Sequence, residues 1–263
     1  AHHDTVHRLE GMQNVLVVND IVSVADATTS SCLGADCTTG IWLIMNMIEA
    51  KVKGVYVIHA AEEVGCKGSR ALVADDPEWL RHIDAVISFD RFGDKSVITH
   101  QMGLRTASEE FARSFADALY MSQLVADDGG SYTDSNEYAS VVSECTNISV
   151  GYYGQHGVNE TQDLVYAEFL CDSLVNADWD MLLFRRDPAV IEDTWGDWRN
   201  SGSGSDEDNI EAIKTMIQDH PHKVAELLDG WGVKYYALME EAGIDDSKYY
   251  GDYFNDGDVY KYF

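Results

Sequence analysis

The sequence predicts an α/β protein: a mixed, mostly parallel sheet flanked by helices, followed by a small helical appendage. Three observations predict it. Short β-branched or aromatic runs alternate with longer helical patterns, the arrangement that builds helix-flanked sheets. The composition, 45% hydrophobic and 24% charged, is that of a globular chain. Near residue 199 the composition shifts to small, flexible and then charged residues, the chemistry of a linker.

The stretch 38–52 ("TTGIWLIMNMIEAKV") is apolar nearly all round and predicts a helix packed deep in the fold. Residues 54–60 ("GVYVIHA"), 84–90 ("DAVISFD"), 96–100 ("SVITH") and 147–153 ("NISVGYY") read as buried or half-buried strands. The stretch 108–124 opens on Ser108 as a cap, continues with an acidic first turn, and sets Phe111, Phe115, Ala118 and Leu119 on one helical face. A longer helical pattern covers 161–184. Residues 1–199 are expected to form one main domain and 200–209 ("NSGSGSDEDN") a linker. Residues 210–263 are expected to form a unit of short amphipathic helices with a Tyr- and Asp-rich tail. That appendage buries little surface by itself and is expected to dock on itself, on a second copy of the chain or on another protein.

The charge balance excludes some partners. With 18 basic and 46 acidic residues the net charge is −28, which disfavours nucleic acid and anionic membrane surfaces, both of which need a basic face. The longest apolar run, 41–48, is far short of a membrane span. No signal-peptide pattern is visible. The five cysteines are odd in number, scattered and without CxxC spacing, which points to buried thiols in a reducing compartment such as the cytoplasm.

Metal-capable residues collect where strands end, the edge at which open α/β sheets carry their function. Glu62 and Glu63 follow the run 54–60, Asp90 closes 84–90, and His156 follows 147–153. Asp36 precedes the deep helix, and the opening "AHHDTV" supplies His2, His3 and Asp4. Each has an ordinary reading when taken singly: a helix cap, a solvated charge pair, a surface histidine. Converged at one sheet edge, Asp36, Glu62, Glu63 and Asp90 would repel one another unless protons or cations compensated them. The imidazole and carboxylate set suits zinc, or another first-row metal, better than calcium.

The order H-x-D, then G-A-D with a glycine four residues after the aspartate, then E-E, a strand-ending Asp and a late His resembles the co-catalytic zinc exopeptidases. These are the M28 aminopeptidases with their M20 and M42 relatives. The resemblance covers roughly residues 1–185. Residues 88–103 and 132–156 further resemble M28-like peptidases of phage and bacterial genomes. It implies two divalent ions, zinc first, with cobalt or manganese as alternatives. It also implies His2 and Asp90 at one ion, Asp36 bridging, and Glu63 and His156 at the other. Only His2 has the H-x-D spacing, so the resemblance selects it over His3, with Asp4 orienting the His2 ring. Glu62 would be the general base acting on the metal-bridging water. Tyr132 and Asp134 would shape the specificity pocket, and Tyr152 and Tyr153 would serve a developing oxyanion. The gaps His2–Asp36 and Asp90–His156 are too short for the M42 insertion and the M20 lid, which favours a compact M28-like domain. The resemblance also implies a strand leading into the metal histidine, for which a start at Ala1 leaves no residues.

The activity so implied is exopeptidase, most specifically an aminopeptidase acting on short peptides. A deacylase of acyl-amino acids or a carboxypeptidase would use the same centre. A non-catalytic module of a phage particle, docking through 210–263, is the reading from another class, and a phage-associated location would follow from it. The presence of Glu62 favours the enzyme, because a base contributes nothing to folding.

Overall fold

The alternation read from the sequence folds as a mixed sheet with helices on both faces. The computed structural model describes residues 1–6, 13–75 and 78–190, together with Lys214, Ile217, Gln218 and Val224. The chain divides into two units, Ala1–Ser201 and Gly202–Phe263. The expected linker over 200–209 and nearly all of the expected appendage lie outside the described residues; the four described positions there are helical.

In chain order the elements are strands β1 (Val15–Val18) and β2 (Ile21–Val24), helices α1 (Ala35–Glu49) and α2 (Lys67–Asp75), then β3 (Ala85–Arg91), β4 (Ser96–Ile98), β5 (His100–Gln101) and β6 (Leu104–Arg105). There follow α3 (Glu109–Ala118), β7 (Val125–Asp127), α4 (Asp134–Glu137), β8 (Glu144–Ser149), β9 (Tyr152–Tyr153), β10 (Thr161–Asp163) and α5 (Leu164–Val175). The central sheet has the order β3-β8-β4-β7, with β3/β8 and β4/β7 parallel and β4/β8 antiparallel. Alternation along the strands separates two cores. Ile87 and Phe89 of β3 and Ile148 of β8 join α1, α3 and α5 through Leu43, Phe111, Phe115 and Leu170. Val86 and Cys145 face the other way, toward Leu80, Tyr138 and Val142.

Several expectations need correction. The run 54–60 forms no strand: only His59 pairs, as a parallel bridge with His2. Beside it, between residues 53–59 and β3, lies a cavity of about 400 Å³ lined by Tyr56, Leu80, Ile87, Phe89 and Ala1, so neither backbone edge meets a ladder partner there. The run 96–100 divides into β4 and β5, and 147–153 into β8 and β9, broken where Gly151 takes φ +86. The pattern 161–184 starts as strand β10 and is helical only over α5, with a 3-10 turn at Trp179–Met181. Ser108 does cap α3, accepting from the Phe111 N–H at 3.1 Å, but the helix stops at Ala118, just before Tyr120 at φ +56.

The sequence reading assigned no element to 15–24, yet these residues form the β1/β2 hairpin of a second sheet, β1-β2-β10-β9. Its turn residues Asn19 and Asp20 both have positive φ, the backbone that a tight two-residue hairpin turn requires. All five cysteines are free and buried. Among the described residues no helix is long and apolar enough to cross a membrane.

Candidate metal centre

One close backbone approach sets the frame for the site. A Cβ at Gly40 would lie 2.3 Å from the Phe89 carbonyl oxygen, so only glycine lets α1 rest directly on β3. This brings the first turn of α1, with Asp36, beside the end of β3, with Asp90. Asp36 does not precede the helix, as residue order suggested, but lies inside its first turn; Gly34, at φ +74, stands at the cap position. Asp90 lies where the β3/β8 register shifts, and its N–H donates at 3.0 Å to Asn147 Oδ1 instead of joining the ladder. Such irregularities re-aim a side chain at the edge of a sheet.

His2 is buried and His3 exposed. The Nδ1 of His2 lies 3.0 Å from the Asp4 backbone carbonyl. A carbonyl only accepts, so Nδ1 carries the hydrogen, and in the neutral ring Nε2 presents its lone pair. That Nε2 is buried without a hydrogen-bond partner, 3.6 Å from Asp90 Oδ1. The Asp4 carboxylate, expected to orient this ring, lies 3.6 Å from Nδ1, and its hydrogen bonds go elsewhere: Oδ1 accepts the Glu62 N–H at 3.0 Å and Oδ2 the Glu63 N–H at 3.1 Å. The turn so held follows Ala61 at φ +60 and ends in Cys66 at φ +53, strained positions for residues with a Cβ.

On the other side, His156 Nε2 lies 3.1 Å from both Asp36 Oδ2 and Glu63 Oε1. Ligand atoms of these three residues all fall within 4.8 Å of one another. Glu63 Oε1 is close to His156 yet lacks an aligned hydrogen bond. Asp36 Oδ1 is occupied by the Cys37 N–H at 2.7 Å, which leaves Oδ2 to face the histidine. His2 acts electrostatically on both Asp36 and Glu63, which links the two groups of residues in one field.

Burial and like charge distort the titration of the cleft. Burial, then Asp90, pushes the Glu62 carboxyl up to about 9, with Glu63 and Asp134 adding to the rise. Burial also raises Glu63, against the opposing pull of His156. Asp36 is held below the usual carboxylate range by His156 and His2, although burial alone would raise it. His156 is raised to about 10 by Asp36 and Glu63. His2 is raised to about 12, because Asp4 and Asp90 outweigh the downward pull of burial. Carboxylates gathered this closely need protons or cations to offset their like charge.

Of the four residues expected at the substrate, Asp134 and Tyr152 are buried and engaged within the fold. Asp134 Oδ1 accepts from Ser69 Oγ at 2.6 Å, and the Tyr152 hydroxyl donates to the Asp90 carbonyl at 2.9 Å. Tyr132 and Tyr153 are partly exposed, and the Tyr132 hydroxyl donates to Glu137. Three supporting residues escaped the sequence reading: Asn147, Thr133, whose hydroxyl donates to Asp90 Oδ2 at 2.7 Å, and Glu160, which is fully buried. The available signal for Glu160 was a lone carboxylate four residues after His156 in a Gly- and Asn-bearing loop.

The profile of Peptidase family M28 matches residues 1–154. The chain belongs to peptidase family M28. The matched span holds every site residue named above except His156 and Glu160, and this M28 chain supplies those two from the loop between β9 and β10. No curated protein sequence matches the chain. Among solved structures it is similar to PhTET1-12s, a dodecamer in its asymmetric unit (18% identity, 62% of this chain and 53% of that chain, TM-score 0.48). It is similar to the TET1 peptidase of Pyrococcus horikoshii (16%, 63% and 53%, 0.48) and to the aminopeptidase APDkam598 of the archaeon Desulfurococcus kamchatkensis (17%, 74% and 55%, 0.44). The chain spans about half the length of these proteins.

Proposed function

We propose that this chain is a metal-dependent exopeptidase, most specifically an aminopeptidase that removes residues from short peptides. One observation carries the reading: Asp36, Glu63 and His156 offer converging ligand atoms directly beside Glu62, a carboxyl held in an unusually proton-retentive setting. The donors fit a divalent cation. Glu63 Oε1 and His2 Nε2 are buried polar atoms lacking hydrogen-bond partners, and a mixed imidazole and carboxylate set suits zinc, with cobalt or manganese as substitutes. His2, Asp36, Glu63, Asp90 and His156 would hold two such ions. Bound there, the ions would polarise the scissile carbonyl and ease deprotonation of the attacking water.

The remaining chemistry belongs to the chain. A Glu62 carboxylate oxygen accepts the proton that water loses as its oxygen bonds to the carbonyl carbon. The same proton then passes to the leaving nitrogen as the C–N bond breaks. A base so raised is suited to hand its proton on, and cationic charge nearby would bring it down toward neutral pH. Asp4 keeps Glu62 and Glu63 side by side through their backbones, so one carboxylate can serve a cation while its neighbour moves the proton.

The decisive experiment combines metal analysis with hydrolysis of peptides bearing a free amino terminus, N-acylated amino acids and amino-blocked peptides with a free carboxyl terminus. The expected result is zinc-, cobalt- or manganese-dependent cleavage of the first group. Cleavage of only the second or third group would make the chain a deacylase or a carboxypeptidase. No cleavage of any group with any of these metals would favour a non-catalytic module.

A further inference from the structure

We propose that Glu160 is a positioning residue of the candidate cation site, setting the spacing between Asp36 and His156. The inference rests on the metal-dependent reading above. Glu160 is fully buried. Its carboxylate accepts three successive backbone N–H groups, with Leu33 and Gly34 on Oε2 at 2.7 and 2.9 Å and Ala35 on Oε1 at 2.9 Å. The start of a helix has N–H groups without intrahelical partners, and α1 has no side-chain cap of its own at Gly34. Glu160 fills that role from a distant part of the chain, and its negative charge suits the positive end of the α1 dipole.

The placement couples two ligands. Asp36 is the residue next to Ala35, so the clamp fixes the backbone from which the Asp36 carboxylate projects. Glu160 belongs to the same loop as His156, and its own N–H donates to the Gly157 carbonyl at 3.0 Å, tying the clamp to the residue beside the histidine. A parallel tie lies two residues on: Gln162 Oε1 accepts from the Thr39 hydroxyl at 2.6 Å, one turn further along α1. The β9–β10 loop and β10 are thereby fastened to the first two turns of α1. His156 itself is partly exposed, with positive φ at +62, and needs such an anchor to stay within 3.1 Å of Asp36. A carboxylate replaced by an amide at this place would lose acceptor capacity and charge while adding an N–H with no acceptor.

The test is metal affinity, which a purely structural cap would leave alone. The full chain, stripped by chelator, is titrated with Co²⁺ followed by visible absorption and with Zn²⁺ in competition with a chromophoric chelator. Glu160→Gln is expected to bind about 10- to 100-fold more weakly, the usual range for residues that support ligands from behind, and to show an altered Co²⁺ spectrum. Glu160→Asp, which keeps the charge, is expected to recover part of the affinity. Leu174→Ala, a core truncation, is expected to lower thermal stability yet bind both ions like the parent. A folded Glu160→Gln with parental affinity and spectrum overturns the proposal, as does Leu174→Ala losing affinity to the same extent. If neither Glu160 variant folds, the residue is a structural cap and the positioning role is lost. A parent chain that binds neither ion overturns the metal-dependent reading itself, an outcome distinct from the others.

Discussion

The Asp4 side chain holds Glu62 by its backbone, accepting the Glu62 N–H on Oδ1 at 3.0 Å while Oδ2 takes the next N–H along. The same residue's carbonyl orients the His2 ring. Asp4→Ala keeps that carbonyl and should loosen the Glu62–Glu63 turn, which the side chain alone holds. We expect a loss of about 1.5–3 kcal/mol in urea denaturation, the scale of hydrogen bonds to a charged group, and at least about a tenfold fall in metal affinity. A variant with parental stability and parental metal content would remove Asp4 from the centre.

Glu62 and Glu63 should part company on substitution. Glu62→Gln keeps side-chain size and removes the proton-accepting charge, so metal content should stay near the parent's while hydrolysis falls by about 10² to 10⁴. Glu63→Gln should weaken metal binding as well, because Glu63 lies with Asp36 and His156. Metal analysis and kcat on the same preparations check both, and a swap of the two behaviours would reverse the assignment.

The metal-free protein should lose stability as pH rises from about 5 to 9. Glu62, raised from 4.5 to about 9, binds its proton more tightly when folded. Its contribution is complete below its unfolded pKa and disappears as pH climbs through the folded value. His156, raised from 6.5 to about 10, and His2, raised to about 12, act in the same direction. Asp4, lowered to about 2, contributes in the opposite sense only below about pH 4, and His59, lowered to about 4 by burial, opposes the decline only below about pH 6.5. Thermal melts in chelator across this range should decline, and saturating zinc should recover most of the loss at the alkaline end. A flat or rising chelator curve would contradict the geometry of the cleft.

Tyr152→Phe separates a structural hydroxyl from a catalytic one. The hydroxyl donates to the Asp90 carbonyl and is buried, so its loss should cost about 0.5–1.5 kcal/mol of stability and change kcat by less than about tenfold. A fall in kcat of about 10² or more with KM unchanged would return Tyr152 to the oxyanion, where removal of one donor has that size of effect.

The sequence by itself determined the α/β class and singled out the residues proposed to carry the chemistry. Alternating apolar periods, the cap at Ser108 and the spacing of His2, Asp4, Asp36, Glu62, Glu63, Asp90 and His156 are local properties written in residue order. Even the overlooked hairpin carries its signal in Asn19–Asp20. The tertiary structure alone decided what those residues touch. The run 54–60 has strand composition but only His59 finds a partner, because a strand exists through its neighbour and not through its own residues. Asp36, read as preceding the helix, lies inside its first turn, while the cap comes from Glu160, far along the chain. The hydrogen bonds of Tyr152 to the Asp90 carbonyl and of Ser69 to Asp134 Oδ1 are likewise invisible in residue order. Residue order conveys which groups are present and the period of their burial. Hydrogen-bond partnership across more than a hundred residues is a property of the folded packing, and that packing decides which carboxylate stays free for chemistry.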